Sequence, residues 1–208
     1  MCELIDNPDM SIDELNNYIK GPDFPTGAII MGRAGIRAAY STGRGHITVR
    51  ARTEIEETKS GRYRIVITEI PYGVNKQNLV KGINTLVTEK RIEGIDYVVD
   101  FSNREGIRIV VELKRDANPQ IILNLLFTYT QLQTTFGVIM LALVDGQPKI
   151  LNLKEMLQHY IDHQCEIVER RTRYDLRKAE EREHILEGLK IALDFIDEVI
   201  SILRAAKN

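Results

Sequence analysis

The chain has 208 residues, 43% apolar and 28% charged, with a formal net charge of −2. That is an ordinary soluble globular composition, long enough to bury a core and free of the low complexity of a disordered chain. No apolar run approaches the length of a bilayer-spanning helix, and the acidic start MCELIDNPDM lacks the basic-then-apolar order of a secretion signal. Cys2 and Cys165 lie far apart and announce neither a disulfide framework nor a metal knuckle, so a cytoplasmic protein is expected.

In chain order, Ser11-Ile12-Asp13-Glu14 fits a helix-opening box and predicts a short amphipathic turn to Lys20, stopped by Gly21-Pro22-Asp23-Phe24-Pro25. AIIM (28–31) reads as a short buried strand, GIRAAYS as a helical turn or two, and Gly43-Arg44-Gly45 as a tight turn. From His46 the pattern alternates, with Ile47, Val49 and Ala51 on one face and Thr48, Arg50 and Arg52 on the other. GRYRIVITEIPY predicts a second strand, with Lys59-Ser60-Gly61 as its turn. Asn75 to Arg91 predicts a helix with Leu79, Ile83, Leu86 and Val87 on one stripe. A strand pair is expected around Asn103-Arg104-Glu105-Gly106, a helix from Pro119 to Tyr129, and a hairpin around Asp145-Gly146. Helices separate only some of the strands, so the fold class is α+β, a two-layer α/β sandwich.

From Leu153 onward the pattern is helical. Ala179, Leu186, Leu193 and Ile200 recur every seven residues, and Leu176, Leu189, Ile196 and Leu203 fill the alternate seam imperfectly. One nearly continuous helix to about Ala206, roughly 80 Å long, is expected to project from the α/β body as a coiled-coil arm. The seam calls for a partner helix that this sequence does not hold, so the chain is expected to be a piece of a longer protein. The run ERRTRYDLRKAEERE pairs Glu166 with Arg170, Glu169 with Arg173, and Arg177 with Glu181 at helical spacing. It reads as a solvated, ion-pair-laced face; a secondary nucleic-acid-facing role for Arg170, Arg171 and Arg173 is the alternative.

Charge is unevenly placed. Residues 1–20 carry five acids and one lysine, whereas residues 21–52 carry five arginines and a single acid, Asp23, a local charge of +4. Phosphate neutralisation acts locally, so a basic patch suffices for nucleic-acid binding. Arg33, Arg37, Arg44, Arg50 and Arg52, joined by His46, fall in one glycine-bent stretch, where guanidinium forks suit phosphate oxygens and glycines allow close approach. These six are the candidate DNA-binding residues. Gly32-Arg33-Ala34-Gly35 also matches the G-x-x-G loop of KH modules, or a plain turn. No phosphate-binding loop or nucleophile elbow is present. His159 and His163 sit at i, i+4 without the metalloprotease pattern and read as a solvated helix face. Neither a metal site nor a cofactor site is expected.

GPDFPTGAIIMGRAGIRAAYSTGRG, with ITEIPYGVNK, LQTTFGVIMLALVDGQPK and HILEGLKIALDFIDEVI, closely resembles the A-subunit family of bacterial DNA gyrase, in order and nearly without gaps from about Cys2 to the C-terminus. The paralogous topoisomerase IV A subunits are the nearest alternative; GRAGIRAAYSTGRG and FGVIMLALVDGQPKILNLKE are more gyrase-like. A KH-like nucleic-acid-binding module with a dimerising helix is the alternative from another class.

The resemblance implies an ATP-dependent type II topoisomerase that negatively supercoils DNA, working as an A2B2 assembly of two A subunits with two B subunits on duplex DNA, with ATP and magnesium on the B subunits. It implies residues 1–20 as a helical lead-in from a winged-helix domain, 21–152 as the α/β tower that supports the bent duplex, and 153–208 as the outgoing coiled-coil helix. The family's tyrosine nucleophile follows an arginine. Arg62-Tyr63 and Arg173-Tyr174 lie outside that context and are assigned to structure, so no catalytic residue is carried over. The isoleucine that wedges into the duplex is expected just upstream of Met1. The chain alone is expected to be inactive.

Overall fold

The structure is a computed structural model describing residues 1–58 and 61–206; of the expected Lys59-Ser60-Gly61 turn, Lys59 and Ser60 lie outside the described residues. The elements are α1 (Cys2–Asp6), α2 (Ile12–Tyr18), β1 (Ile29–Met31), α3 (Ala34–Thr42), β2 (Arg44–Arg50), β3 (Arg52–Glu57), β4 (Tyr63–Glu69), α4 (Lys76–Thr88), β5 (Ile95–Asp100), β6 (Ile109–Leu113), α5 (Pro119–Tyr129), β7 (Gln133–Ile139), β8 (Leu141–Val144), β9 (Gln147–Ile150), α6 (Leu153–Asp194) and α7 (Ile196–Ala205). The chain forms two compact units, Asp6–Met156 and Met1–Ile5 with the residues from Leu157 onward.

In the first unit the main core lies between an antiparallel sheet of order β3-β4-β6-β5 and helices α4 and α5. Ile65 and Ile67 of β4 and Ile109, Val111 and Leu113 of β6 supply one side at strand period. Leu79, Ile83 and Leu86 of α4 and Ile122, Leu123 and Leu126 of α5 supply the other at helical period. Each such side chain contributes about 1.5–3 kcal/mol by leaving water. The helices begin where the sequence gives their first amides an acceptor: Asn75 Oδ1 accepts from the Asn78 N–H, and Asn118 Oδ1 from those of Gln120 and Ile121, with Pro119 at the first position. In α2 the full capping box forms between Ser11 and Glu14.

A second antiparallel sheet has the order β1-β2-β7. Helix α3 packs on one face of its central strand, burying Ile36 and Ala39 with Ile47 and Val49. The approach is close enough that a Cβ on Gly35 would overlap the His46 carbonyl oxygen, and one on Gly45 would lie 2.8 Å from the Ala39 nitrogen. Strands β8 and β9 form a separate hairpin whose turn, Asp145 (φ 53°) and Gly146 (φ 75°), has the left-handed pair that suits strand twist.

The α+β class holds, with three corrections of detail. AIIM is a strand but an edge one, leaving Ile29 42% and Met31 41% exposed rather than buried. Only Gly43 turns, as the left-handed cap of α3; Arg44 and Gly45 already belong to β2. The alternation through Arg52 spans two strands, since Ala51 marks the passage from β2 to β3 in the other sheet. The nearly continuous helix from Leu153 is divided at the single residue Phe195 into α6 and α7, and Gly188 sits unbroken within α6. No local signal in the sequence announces helix α1.

In the second unit, two of the three expected ion pairs form on α6: Arg173–Glu169 at 2.6 Å and Arg177–Glu181 at 3.9 Å. The seam residues Leu186, Leu189, Leu193, Ile196, Ile200 and Leu203 are all exposed, Leu193 by 66%. Apolar side chains in such a row gain by pairing with a second helix. Raising the protein concentration is therefore expected to raise the sedimentation coefficient and the helical circular dichroism signal together. A strictly monomeric chain, helical through Ala205 at all concentrations, would overturn the coiled-coil reading.

Candidate nucleic-acid interface

The six expected contact residues fall in three places. Arg33 is the N-cap of α3, after a left-handed turn at Gly32 (φ 81°); no side chain caps this helix and no acid lies in its first turn. The first amides of α3 and their partial positive charge are thus left for an outside acceptor. Arg33 and Arg37 line a cleft of about 530 Å³ between α2 and α3, with Lys20, Asp13 and Asn16. The Arg37 Nε lies 3.7 Å from the Asp13 carboxylate, with both side chains more than two-thirds exposed. A pair so hydrated is worth about 0–1 kcal/mol and yields readily to a phosphate.

Arg44, His46 and Arg50 share the face of β2 turned away from α3. The register sets Arg44 opposite Ile139, His46 opposite Gly137, Thr48 opposite Thr135 and Met31, and Arg50 opposite Gln133 and Ile29. No acid lies on this face. The Arg44 and His46 side chains are exposed and, among the described residues, make no ion pair or hydrogen bond. Arg50 differs: its Nε and Nη2 both donate to Gln133 Oε1, at 2.8 and 2.6 Å, and its guanidinium lies 4.4 Å from the centre of the Phe127 ring. Arg52 begins β3 in the other sheet, 3.4 Å from the Glu69 carboxylate, which also accepts the Ala28 N–H. Arg50 and Arg52 thus bind strand to strand within the fold, while Arg33 and Arg44 have free donors.

Lys20, Thr48, Thr135 and Gly137 join these surfaces, although sequence reasoning gives them no binding role. Lys20 precedes the glycine-proline stop, and Thr135 and Gly137 come from a strand nearly ninety residues downstream of β2. Only the register brings them there; the period-two pattern of QTTFGVI is the one signal that could have found them.

Tyr63 opens β4 and packs against the core, and Tyr174 lies exposed with the Arg177 guanidinium 5.4 Å from its ring centre. His159 and His163 stand exposed on α6. Gly35 of the G-x-x-G stretch lies inside α3, its open side filled by β2, which is not the freestanding backbone clamp of a KH module.

Fold and site together define a class: an α+β domain that turns one cation-bearing, acid-free sheet face to solvent and runs on into a long helix. The chain belongs to the DNA gyrase/topoisomerase IV A-subunit family, whose model matches residues 1–208. It is similar to the DNA gyrase A subunit of Clostridium acetobutylicum, 62% identical over 205 residues covering 99% of this chain and 25% of that protein. The DNA gyrase A subunit of Halalkalibacterium halodurans is 58% identical, covering 97% and 24%, and that of Staphylococcus aureus strain MRSA252 is 55% identical, covering 100% and 24%. The chain thus spans about a quarter of the length of the curated relatives it matches.

Proposed function

We propose that this chain is the DNA-supporting part of a type II topoisomerase A subunit, holding duplex backbone while cleavage and resealing are carried out by a tyrosine elsewhere in the enzyme. The observation that carries this reading is the acid-free face of the β1-β2-β7 sheet, with Arg44 and His46 unengaged and the uncapped start of α3 following β1. Guanidinium groups and helix-terminal amides meet phosphate oxygens without reading bases, so support is sequence-independent. In the assembled enzyme the partners are two B subunits with a second A subunit, working in the cytoplasm on duplex DNA. ATP and magnesium belong to the B subunits; no group of three or more His, Cys, Asp or Glu is placed to hold a metal among the described residues. No described helix is long and apolar enough to cross a membrane.

The test is a salt titration. Binding of the chain to a fluorescent duplex is expected to fall linearly in log K against log salt, with a slope near −2 to −3 for about three neutralised phosphates. Single-stranded RNA is expected to bind more weakly. Preference for single-stranded RNA would favour a KH-like activity instead, and salt-independent binding would remove the phosphate reading.

A further inference from the structure

The fold accounts for most of the 14 glycines in the chain. Some take left-handed backbone, as at Gly32 and Gly43, and some admit a neighbouring backbone, as at Gly35 and Gly45. Three have neither a left-handed φ nor any atom within 4 Å of an added Cβ: Gly82 in α4, Gly137 in β7 and Gly188 in α6. Gly137 alone of these lies on the open face of the β1-β2-β7 sheet, in mid-strand and directly opposite His46. A strand interior disfavours glycine, which adds backbone entropy to the unfolded state and packs nothing. Where the fold does not need it, the remaining use is a notch through which another backbone passes close to the sheet.

The surroundings of the notch indicate what passes. Thr135 stands two residues before Gly137 on the same face, with Thr48 directly across from it. Arg44 lies two residues before His46, at the other end. Two hydroxyls, an imidazole and a guanidinium offer donors, and no carboxylate competes for them. A phosphodiester backbone, which presents only acceptors along its edge, complements that row.

We propose that Gly137 marks where one phosphodiester strand of duplex DNA crosses this sheet, with the Thr48 and Thr135 hydroxyls donating to phosphate oxygens beside Arg44 and His46. This rests on the DNA-supporting function above and adds its line of contact. In the 208-residue chain, Gly137→Val should fold with an unchanged or higher melting temperature, since a β-branched residue suits the strand. It should nevertheless bind a short duplex at least about tenfold more weakly, with Gly137→Ala intermediate. Thr135→Ala should weaken binding several-fold without changing the salt slope, because a neutral contact releases no counterion. Wild-type affinity in Gly137→Val would overturn the crossing point while leaving the DNA-supporting function intact. Failure of both Gly137→Val and Gly137→Ala to fold would show that the fold needs this glycine, and would overturn it too. If the unaltered chain binds no duplex, the function itself falls, and the crossing point with it.

Discussion

Replacing Gly35 by alanine is expected to destabilise the Asp6–Met156 unit by about 3 kcal/mol, the upper end of typical overpacking effects. The added methyl would overlap the His46 carbonyl oxygen and lie within 3.3 Å of the Ile47 Cα. Both are backbone atoms of the central strand of a three-stranded sheet, so neither can rotate aside as a side-chain tip could. Relief requires α3 to lift from β2, and that re-exposes Ile36, Ala39, Ile47 and Val49, all now buried. A domain of this size has about 5–15 kcal/mol in total, so a large part of its stability is at stake. Urea titration measures it: the midpoint should fall steeply. A variant within about 0.5 kcal/mol of the parent would mean that α3 does not pack as described. The contrast with Gly137, where a larger side chain should cost the fold nothing, makes the two glycines internal controls for each other.

The second large effect is expected at Arg33 and Arg44. Removing both guanidinium groups should reduce the salt slope of duplex binding by about 2, close to 0.9 per lost phosphate contact, with little change in stability. Arg50→Ala should behave in the opposite way. It strands Gln133 Oε1 and removes the guanidinium from the Phe127 ring, so it should cost about 1–3 kcal/mol of stability and leave the slope nearly unchanged. Melting curves beside salt titrations separate the two classes. If Arg50→Ala lowers the slope as much as Arg44→Ala does, its hydrogen bonds to Gln133 do not hold it back from DNA.

The contrast between these arginines is not legible in the sequence, because what distinguishes them is non-local. Arg50 and Gln133 are 83 positions apart and meet only through the β2–β7 register. Local chemistry is legible wherever it decides the outcome. Asn75 and Asn118 announce α4 and α5, the Ser11–Glu14 box announces α2, and Asp145-Gly146 announces its hairpin. Strands β4 and β6 declare themselves as apolar β-branched runs because both lie inside the four-stranded sheet. Strand β7 is only partly declared: Thr134, Thr135, Phe136, Val138 and Ile139 favour a strand, but Gly137 breaks the run and the place beside β2 comes only from the register. The exposure of Ile29 and Met31 follows from an edge position, which composition does not encode. The interruption at Phe195 has no proline or glycine to announce it, and nothing in the structure supplies a physical cause.

That interruption has a mechanical meaning. Forty-two residues of unbroken α-helix make a rod about 63 Å long. At Phe195 the backbone leaves helical geometry (φ −117°, ψ 35°), yet the Phe195 N–H still bonds the Ile191 carbonyl and the Val199 N–H bonds the Phe195 carbonyl. The rod and the ten-residue tip are therefore joined through one non-helical residue. A swing of about 20° there moves the end of α7, about 15 Å away, by about 5 Å while α6 stays straight. The two hydrogen bonds kept across Phe195 bridge α6 and α7 although the residue's own φ and ψ leave helical geometry.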